Sequence, residues 1–127
     1  MNTAPIHKPT ESELEILQIL WRKGDCTVRE VHEILEKNKD AGYTTTLKLM
    51  QIMHEKGLLS RDTSSKTHIY RSLVNEQKTQ EQMLNKMIDG VFNGSAARLV
   101  MQALGNHEAS KDEIDSIKKY LDELSKK

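Results

Sequence analysis

The chain has 127 residues, of which 36% are hydrophobic and 30% are charged, and this balance suits one small globular domain or a domain with an appendage. Its single cysteine, Cys26, excludes an internal disulfide and a thiolate cluster, and no apolar stretch is long enough to span a membrane. We therefore expect a cytoplasmic protein without membrane insertion.

Two segments near the N-terminus have the form of helix starts. Thr10–Glu13 and Thr27–Glu30 each place a threonine three residues before a glutamate, which is the spacing of a capping box. The apolar residues that follow recur every three or four positions, and this predicts two amphipathic helices. Gly24 ends the first helix, and Gly42 precedes a third helix that is predicted from about Thr44 to Lys56.

The hydrophobic period changes after Gly57. Residues 58–62 (LLSRD) and 67–71 (THIYR) are short strand-like runs, and the polar residues 63–66 lie between them. Three helices followed by a hairpin is the order of a winged helix-turn-helix, in which the third helix is the recognition helix and the hairpin is the wing. The predicted fold class is therefore mainly α with a small β-hairpin.

The net charge is zero, but the charges are unevenly distributed. Residues 44–71 contain five Lys or Arg against two Asp or Glu, whereas residues 10–43 contain five against eight. Positive charge concentrated on the recognition helix and the wing is the electrostatic pattern of a surface that contacts phosphates. The predicted partner is double-stranded DNA.

The chain returns to helical periodicity after Val74. Ser110–Glu113 is a third capping box, and the helices predicted here carry more apolar surface than they can cover alone. We predict that residues 1–73 form a winged-helix DNA-binding domain and that residues 74–127 form a helical dimerisation arm. The residues predicted at the homodimer interface are Met83, Leu84, Met87, Ile88, Val91, Leu99, Val100, Ile114, Ile117, Leu121 and Leu124.

The order of these segments resembles the penicillinase repressor family over roughly Thr10–Leu124. The matching pieces are residues 10–17 (TESELEIL), Leu20-Trp21, residues 27–31 (TVREV), 43–45 (YTT) and 55–59 (EKGLL), Tyr70, and residues 91–95 (VFNGS). The resemblance implies a homodimeric repressor whose winged helices read a palindromic operator in the major groove. It also implies that the Tyr43 hydroxyl contacts a phosphate and that some members are released by a membrane-bound sensor protease.

The chain departs from the family pattern at three places. Thr46 and Ile52 stand where the family usually has Val and Arg, so the family's operator sequence is not expected to carry over. Gln102-Ala103 stands where members released by proteolysis have Asn-Phe, and this argues against a sensor protease as a partner. The copper-responsive branch has a C-terminal cysteine cluster, which is absent here, so a copper thiolate switch is excluded.

The recognition helix and the wing offer the side chains that DNA contacts need. Gln can pair with adenine, Thr can contact bases or the thymine methyl group, and Lys and Arg neutralise phosphates. Thr44 also fits the N-cap of the third helix, and Arg71 is the weakest candidate among the wing cations. The predicted DNA-contacting residues are Tyr43, Thr44, Thr45, Lys48, Gln51, Arg61 and Lys66.

The sequence also bears on functions other than DNA binding. The five histidines show no metal-ligand spacing, and no phosphate loop or nucleophile motif occurs, so we expect no enzymatic activity and no cofactor. A winged-helix protein-interaction module stays open, although such a module has no need for Lys48, Lys66 and Arg61 on one face. A regulator that senses a ligand directly in the dimerisation arm also stays open.

Overall fold

The computed structural model describes residues 8–127, so the first seven residues of the predicted 1–73 domain lie outside the described part. The elements, in chain order, are α1 (Glu11–Lys23), α2 (Val28–Leu35), α3 (Tyr43–Glu55), β1 (Leu59–Asp62), β2 (Ile69–Ser72), α4 (Glu76–Gly90), α5 (Ala96–Asn106) and α6 (Lys111–Ser125). This order confirms the predicted mainly α fold with a hairpin. The chain divides into a first compact unit that ends at Met83 and a second unit, Leu84–Lys127. The division falls within α4, whereas the boundary predicted after residue 73 lies just before that helix.

The ends of the first helices are set by local hydrogen bonds. The Glu13 N–H donates to Oγ1 of Thr10 at 3.2 Å, and the Thr10 N–H donates to Oε1 of Glu13 at 3.0 Å. Thr27 and Glu30 form the same reciprocal pair at the start of α2. Gly24 ends α1 at a φ of +90°, where a residue with a side chain would be strained.

The core of the first unit lies where α1, α2 and α3 meet the hairpin. With few aromatic residues in the chain, this core is built from aliphatic and methionine side chains around one tyrosine. Full burial of one such side chain contributes roughly 1.5–3 kcal/mol. The least exposed apolar residues are Ile16, Leu17, Val31, Met50, Met53, Leu58, Leu59 and Tyr70.

The wing is anchored to the connection between α1 and α2. Strands β1 and β2 pair antiparallel, with Leu59 opposite Ser72. Cys26 adds a further rung, because its N–H donates to the Tyr70 carbonyl at 3.0 Å and its own carbonyl accepts from the Tyr70 N–H at 2.8 Å. Cys26 is buried, and burial raises the pKa of its thiol.

An ion pair between a buried carboxylate and a partly exposed lysine connects the start of α1 to the end of α3. Nζ of Lys56 lies 2.6 Å from Oε2 of Glu13, whose side chain is only 3% exposed. Burial by itself raises the pKa of Glu13, but hydrogen bonds from Lys56 and from the Thr10 backbone outweigh burial and hold this pKa below its ordinary value. The pair therefore stabilises the fold wherever Glu13 is ionised.

Replacing Glu13 with glutamine is expected to lower the free energy of unfolding near neutral pH by about 1.5–3 kcal/mol, the range of a charge-assisted hydrogen bond. Because the folded-state pKa of Glu13 is depressed, its contribution is present above the unfolded-state pKa and is lost as the pH falls through the folded-state pKa. Urea denaturation of wild type and variant should therefore converge in acid. Glu15→Gln is the control, since Glu15 pairs with Lys39 with both side chains more than 40% exposed, and it should cost less than about 1 kcal/mol. If Glu13→Gln and Glu15→Gln lowered the free energy of unfolding equally, the Glu13–Lys56 pair would not have the stabilising role described here.

The second unit has no buried side chain in α5 or α6, both of which are fully described. Ser110 and Glu113 form the predicted capping box at the start of α6. α4 ends at Gly90, and the turn into α5 places Asn93 and Gly94 at positive φ. None of the described helices is both long and apolar enough to cross a membrane.

Candidate nucleic-acid interface

The exposed face of α3 begins in its first turn. The N-cap is Gly42, which has no side chain to bond the helix start, so the alternative of Thr44 as N-cap is wrong. The first N–H bonded back to Gly42 is that of Thr46, so the N–H groups of the three residues before it have no helical acceptor. Thr44 and Thr45 are both exposed beside these donors, and a helix start of this kind favours an anion.

The middle of α3 separates into a polar face and a buried face. Lys48 and Gln51 are exposed and continue the face of Thr44 at the spacing of helical turns. Met50 and Met53, on the opposite face, are completely buried in the core. The Lys48 and Gln51 side chains are therefore held outwards by a helix whose other face is fixed.

Thr46 belongs to the buried face. Its side chain is 1% exposed, and its Oγ1 lies 3.1 Å from Nδ1 of His32 on α2. The departure from the family's Val at this position was expected to bear on the operator sequence, and that expectation is corrected because a buried residue cannot contact a base. Ile52, by contrast, is partly exposed.

The wing presents its cations unequally. Lys66 is exposed in the turn between the strands. Arg61 is half-buried, and its Nε has no hydrogen-bond partner among the described residues. Arg71 donates from Nε and Nη2 to Oδ2 of Asp25 at 3.1 and 2.9 Å, and this bond raises the pKa of Arg71. Arg71 is thus occupied within the protein, in line with its low rank among the wing cations.

A stack of side chains on α2 and α3 was missed at the sequence level. The Tyr43 ring, 40% exposed, meets the His32 ring edge-on at a centroid distance of 5.5 Å. The Arg29 guanidinium carbon lies 5.5 Å from the centre of the same Tyr43 ring. The sequence carried one signal for this, since Arg29 and His32 are three residues apart on α2 and so share a face. The stack places a further cation at the start of α3.

The apolar residues predicted for the dimer interface lie in the second unit, apart from Met83 at the end of the first unit. Met83, Ile88, Leu99, Ile114 and Ile117 are partly buried, and the other six predicted residues are 41–73% exposed. Three further apolar side chains of this unit, which the predicted interface does not include, are also exposed, namely Met101, Leu104 and Tyr120. Large apolar side chains at this exposure in a small unit are typical of a surface that a partner covers.

Groups of acidic, histidine and cysteine side chains that could hold a metal ion are absent from residues 8–127. The candidate site consists of the polar face of α3, the stack of Arg29, Tyr43 and His32 at the start of that helix, and the wing. It presents cations and hydrogen-bonding groups.

The chain is similar to known proteins over most of its length. It matches the penicillinase repressor family over residues 9–123. It is 28% identical to the methicillin resistance regulatory protein MecI of Staphylococcus aureus (strain N315) over 116 residues, which cover 88% of this chain and 91% of that protein. It is 22% identical to the penicillinase repressor of Bacillus licheniformis over 114 residues, 90% of this chain and 89% of that protein. It is also 26% identical to the transcriptional regulator BlaI of Mycobacterium tuberculosis (strain CDC 1551 / Oshkosh) over 115 residues, 88% of this chain and 81% of that protein.

Proposed function

The chain belongs to the penicillinase repressor family, whose members are DNA-binding transcriptional repressors, and we propose that it binds a palindromic operator as a homodimer in the cytoplasm. In this proposal α3 of each protomer enters the major groove, and the wing lies along the backbone. The second units hold the two winged helices about one helical turn of DNA apart, and the bound dimer blocks the polymerase.

The observation that carries the proposal is the two-sided character of α3. One face of α3 is fixed in the core, where Met50 and Met53 are completely buried. The opposite face presents Thr44, Lys48 and Gln51 in one exposed row. Gln51 offers the amide that can pair with adenine, and Lys48 can reach a phosphate or a guanine. A protein-interaction module has no need for this polar row and the exposed Lys66 of the wing on one surface, whereas phosphates and bases require such groups.

The phosphate contacts of the proposal lie at the two ends of this surface. At the start of α3, the N–H groups next to Thr44 and Thr45 and the Tyr43 hydroxyl are suited to one phosphate. Arg29, beside the Tyr43 ring, adds positive charge there. Lys66 and Arg61 on the wing are the contacts to the neighbouring backbone. Phosphate contacts of this kind set the register of the helix in the groove, and the base contacts supply the specificity.

Release by a sensor protease is not part of the proposal. Gln102 and Ala103 lie exposed within α5, and the pair differs from the Asn-Phe expected for cleaved members. A change in the dimer surface, brought about by a ligand or by dissociation, is the release mechanism that the apolar second unit supports.

The proposal is tested by fluorescence anisotropy of the purified protein with DNA from immediately upstream of its own gene, and with scrambled DNA of equal length. We expect a preference for the upstream DNA and a steep loss of affinity between two salt concentrations, since each neutralised phosphate releases a counterion. If upstream and scrambled DNA bind equally at both salt concentrations, fragments from the whole genome are screened next. No preferred fragment in that screen would contradict operator binding.

A further inference from the structure

Ile52 is an apolar side chain on the exposed face of α3. It is partly exposed, and Thr45 and Lys48 on the same face are exposed. With about 100° of rotation per residue, Ile52 lies about 40° from Lys48 and about 20° from Thr45 around the helix axis. The buried Met53 lies about 100° away from Ile52. Ile52 is therefore within the polar face and not at its border with the core.

Packing of the core does not account for this isoleucine. Among the described residues, the partly buried apolar side chains of α3 that pack against the core are Leu47 and Leu49, and Ile52 is not one of them. A single exposed apolar side chain has no functional meaning by itself. Ile52 gains one from its position, because the proposed function places the polar face of α3 in the major groove.

The major groove offers an isoleucine one kind of partner. The base edges there present hydrogen-bond donors and acceptors, and thymine alone adds an apolar group, its C5-methyl group. The isoleucine side chain has no donor or acceptor, so covering a polar base edge would leave that edge unpaired. Contact with a thymine methyl group carries no such cost and removes apolar surface of both partners from water.

We infer that Ile52 is a specificity-determining residue of operator binding, which contacts the C5-methyl group of one thymine in each half-site. The inference rests on the proposed function, because it requires α3 in the major groove. Gln51, the preceding residue, is suited to adenine, so the turn of α3 that carries both residues is suited to A·T pairs. Loss of the methyl contact should weaken binding about fourfold per half-site, the change that corresponds to exposing one group of this size.

Thr45 is the competing reader of a thymine on this side of the face, because threonine can contact the thymine methyl group through its own methyl group. Thr45 and Ile52 are seven residues apart, which is about 10 Å along the helix axis. In the groove the two side chains would therefore meet different base pairs, and an experiment that changes one base pair at a time distinguishes them.

The test removes single methyl groups from the DNA. In the preferred DNA fragment, each thymine is replaced in turn by uracil, together with its symmetry mate in the other half-site, and uracil lacks only the C5-methyl group. Anisotropy measures the affinity of the wild type, Ile52→Ala and Thr45→Ser for each duplex. Thr45→Ser is the matched control, because it removes one methyl group from the same face of α3. Any effect of uracil on the shape of the DNA is common to the three proteins and cancels in the comparison.

Both variants should fold as the wild type does, since Ile52 and Thr45 lie outside the core and alanine is the strongest helix former, and circular dichroism checks this. We expect one thymine position at which uracil weakens the binding of the wild type and of Thr45→Ser by about 16-fold, counting both half-sites, and leaves the binding of Ile52→Ala unchanged.

Three results would overturn the role of Ile52 while operator binding stands. In the first, Ile52→Ala keeps the uracil sensitivity of the wild type at every position. In the second, the sensitivity disappears only in Thr45→Ser, and in the third the wild type is insensitive to uracil throughout. A wild type that prefers no DNA fragment would contradict both the inference and the proposed function.

Discussion

Replacing Lys48 and Gln51 together with alanine is expected to abolish sequence-specific DNA binding and to leave the dimer intact. Both side chains are exposed on the polar face of α3 and make no side-chain hydrogen bond or ion pair within the described residues, so their loss removes no internal polar contact. Loss of a bidentate base contact from Gln51 removes about 1–3 kcal/mol of discrimination between bases. Together with the loss of Lys48, this should lower the preference for operator over scrambled DNA by about 30-fold or more. Anisotropy with operator and scrambled DNA measures the preference, and size-exclusion chromatography checks the dimer.

The matched control for this double variant is Gln18→Ala with Lys23→Ala on α1. Both residues are exposed, and the pair removes the same amide and the same charge from a different helix. The control should lose no operator preference, because equal charge loss away from the groove affects specific and non-specific binding alike. If the Lys48 and Gln51 variant still bound operator as tightly as the wild type does, α3 would not be the recognition helix.

Placing a charge in the apolar surface of α6, as in Leu121→Glu, is expected to dissociate the proposed homodimer and to weaken operator binding by about 100-fold or more. The Leu121 side chain is 53% exposed within the chain, so the substitution needs no change in the core of a protomer. In the proposed dimer the same side chain is covered, and an unpaired carboxylate there is strongly disfavoured. Separate protomers bind each half-site alone and lose the effective concentration that the linkage supplies.

Sedimentation equilibrium measures the dissociation, and far-UV circular dichroism checks that the helices remain. Ser116→Glu is the control, because it adds the same charge to an exposed position of α6 that lies away from the row of Ile114, Ile117 and Leu121. The control should remain dimeric. A dimeric Leu121→Glu protein with unchanged operator affinity would place the interface elsewhere.

Local signals in the sequence determined the order of elements in this protein. Thr10, Thr27 and Ser110 each cap a helix with a glutamate three residues on, and such bonds form within a few residues of chain. The change from a period of three or four to short alternating runs located the hairpin in the same way. The exposed polar face of α3, with Lys48 and Gln51, also followed from periodicity alone.

Tertiary contacts decided which side chains of the site are available. Periodicity does not distinguish Thr46, which bonds to His32 fourteen residues earlier, from its exposed neighbours Thr44 and Thr45. Likewise, the pairing of Arg71 with Asp25 joins residues far apart in the chain.

The physical reason is the range of the interactions. Caps and amphipathic faces depend on neighbours within one or two helical turns, so the sequence by itself determines them. The Cys26–Tyr70 rung, the Glu13–Lys56 ion pair and the stack of Arg29 on Tyr43 form only when packing brings separate elements together. They depend on the relative positions of the helices and the wing, and only the tertiary structure supplies those.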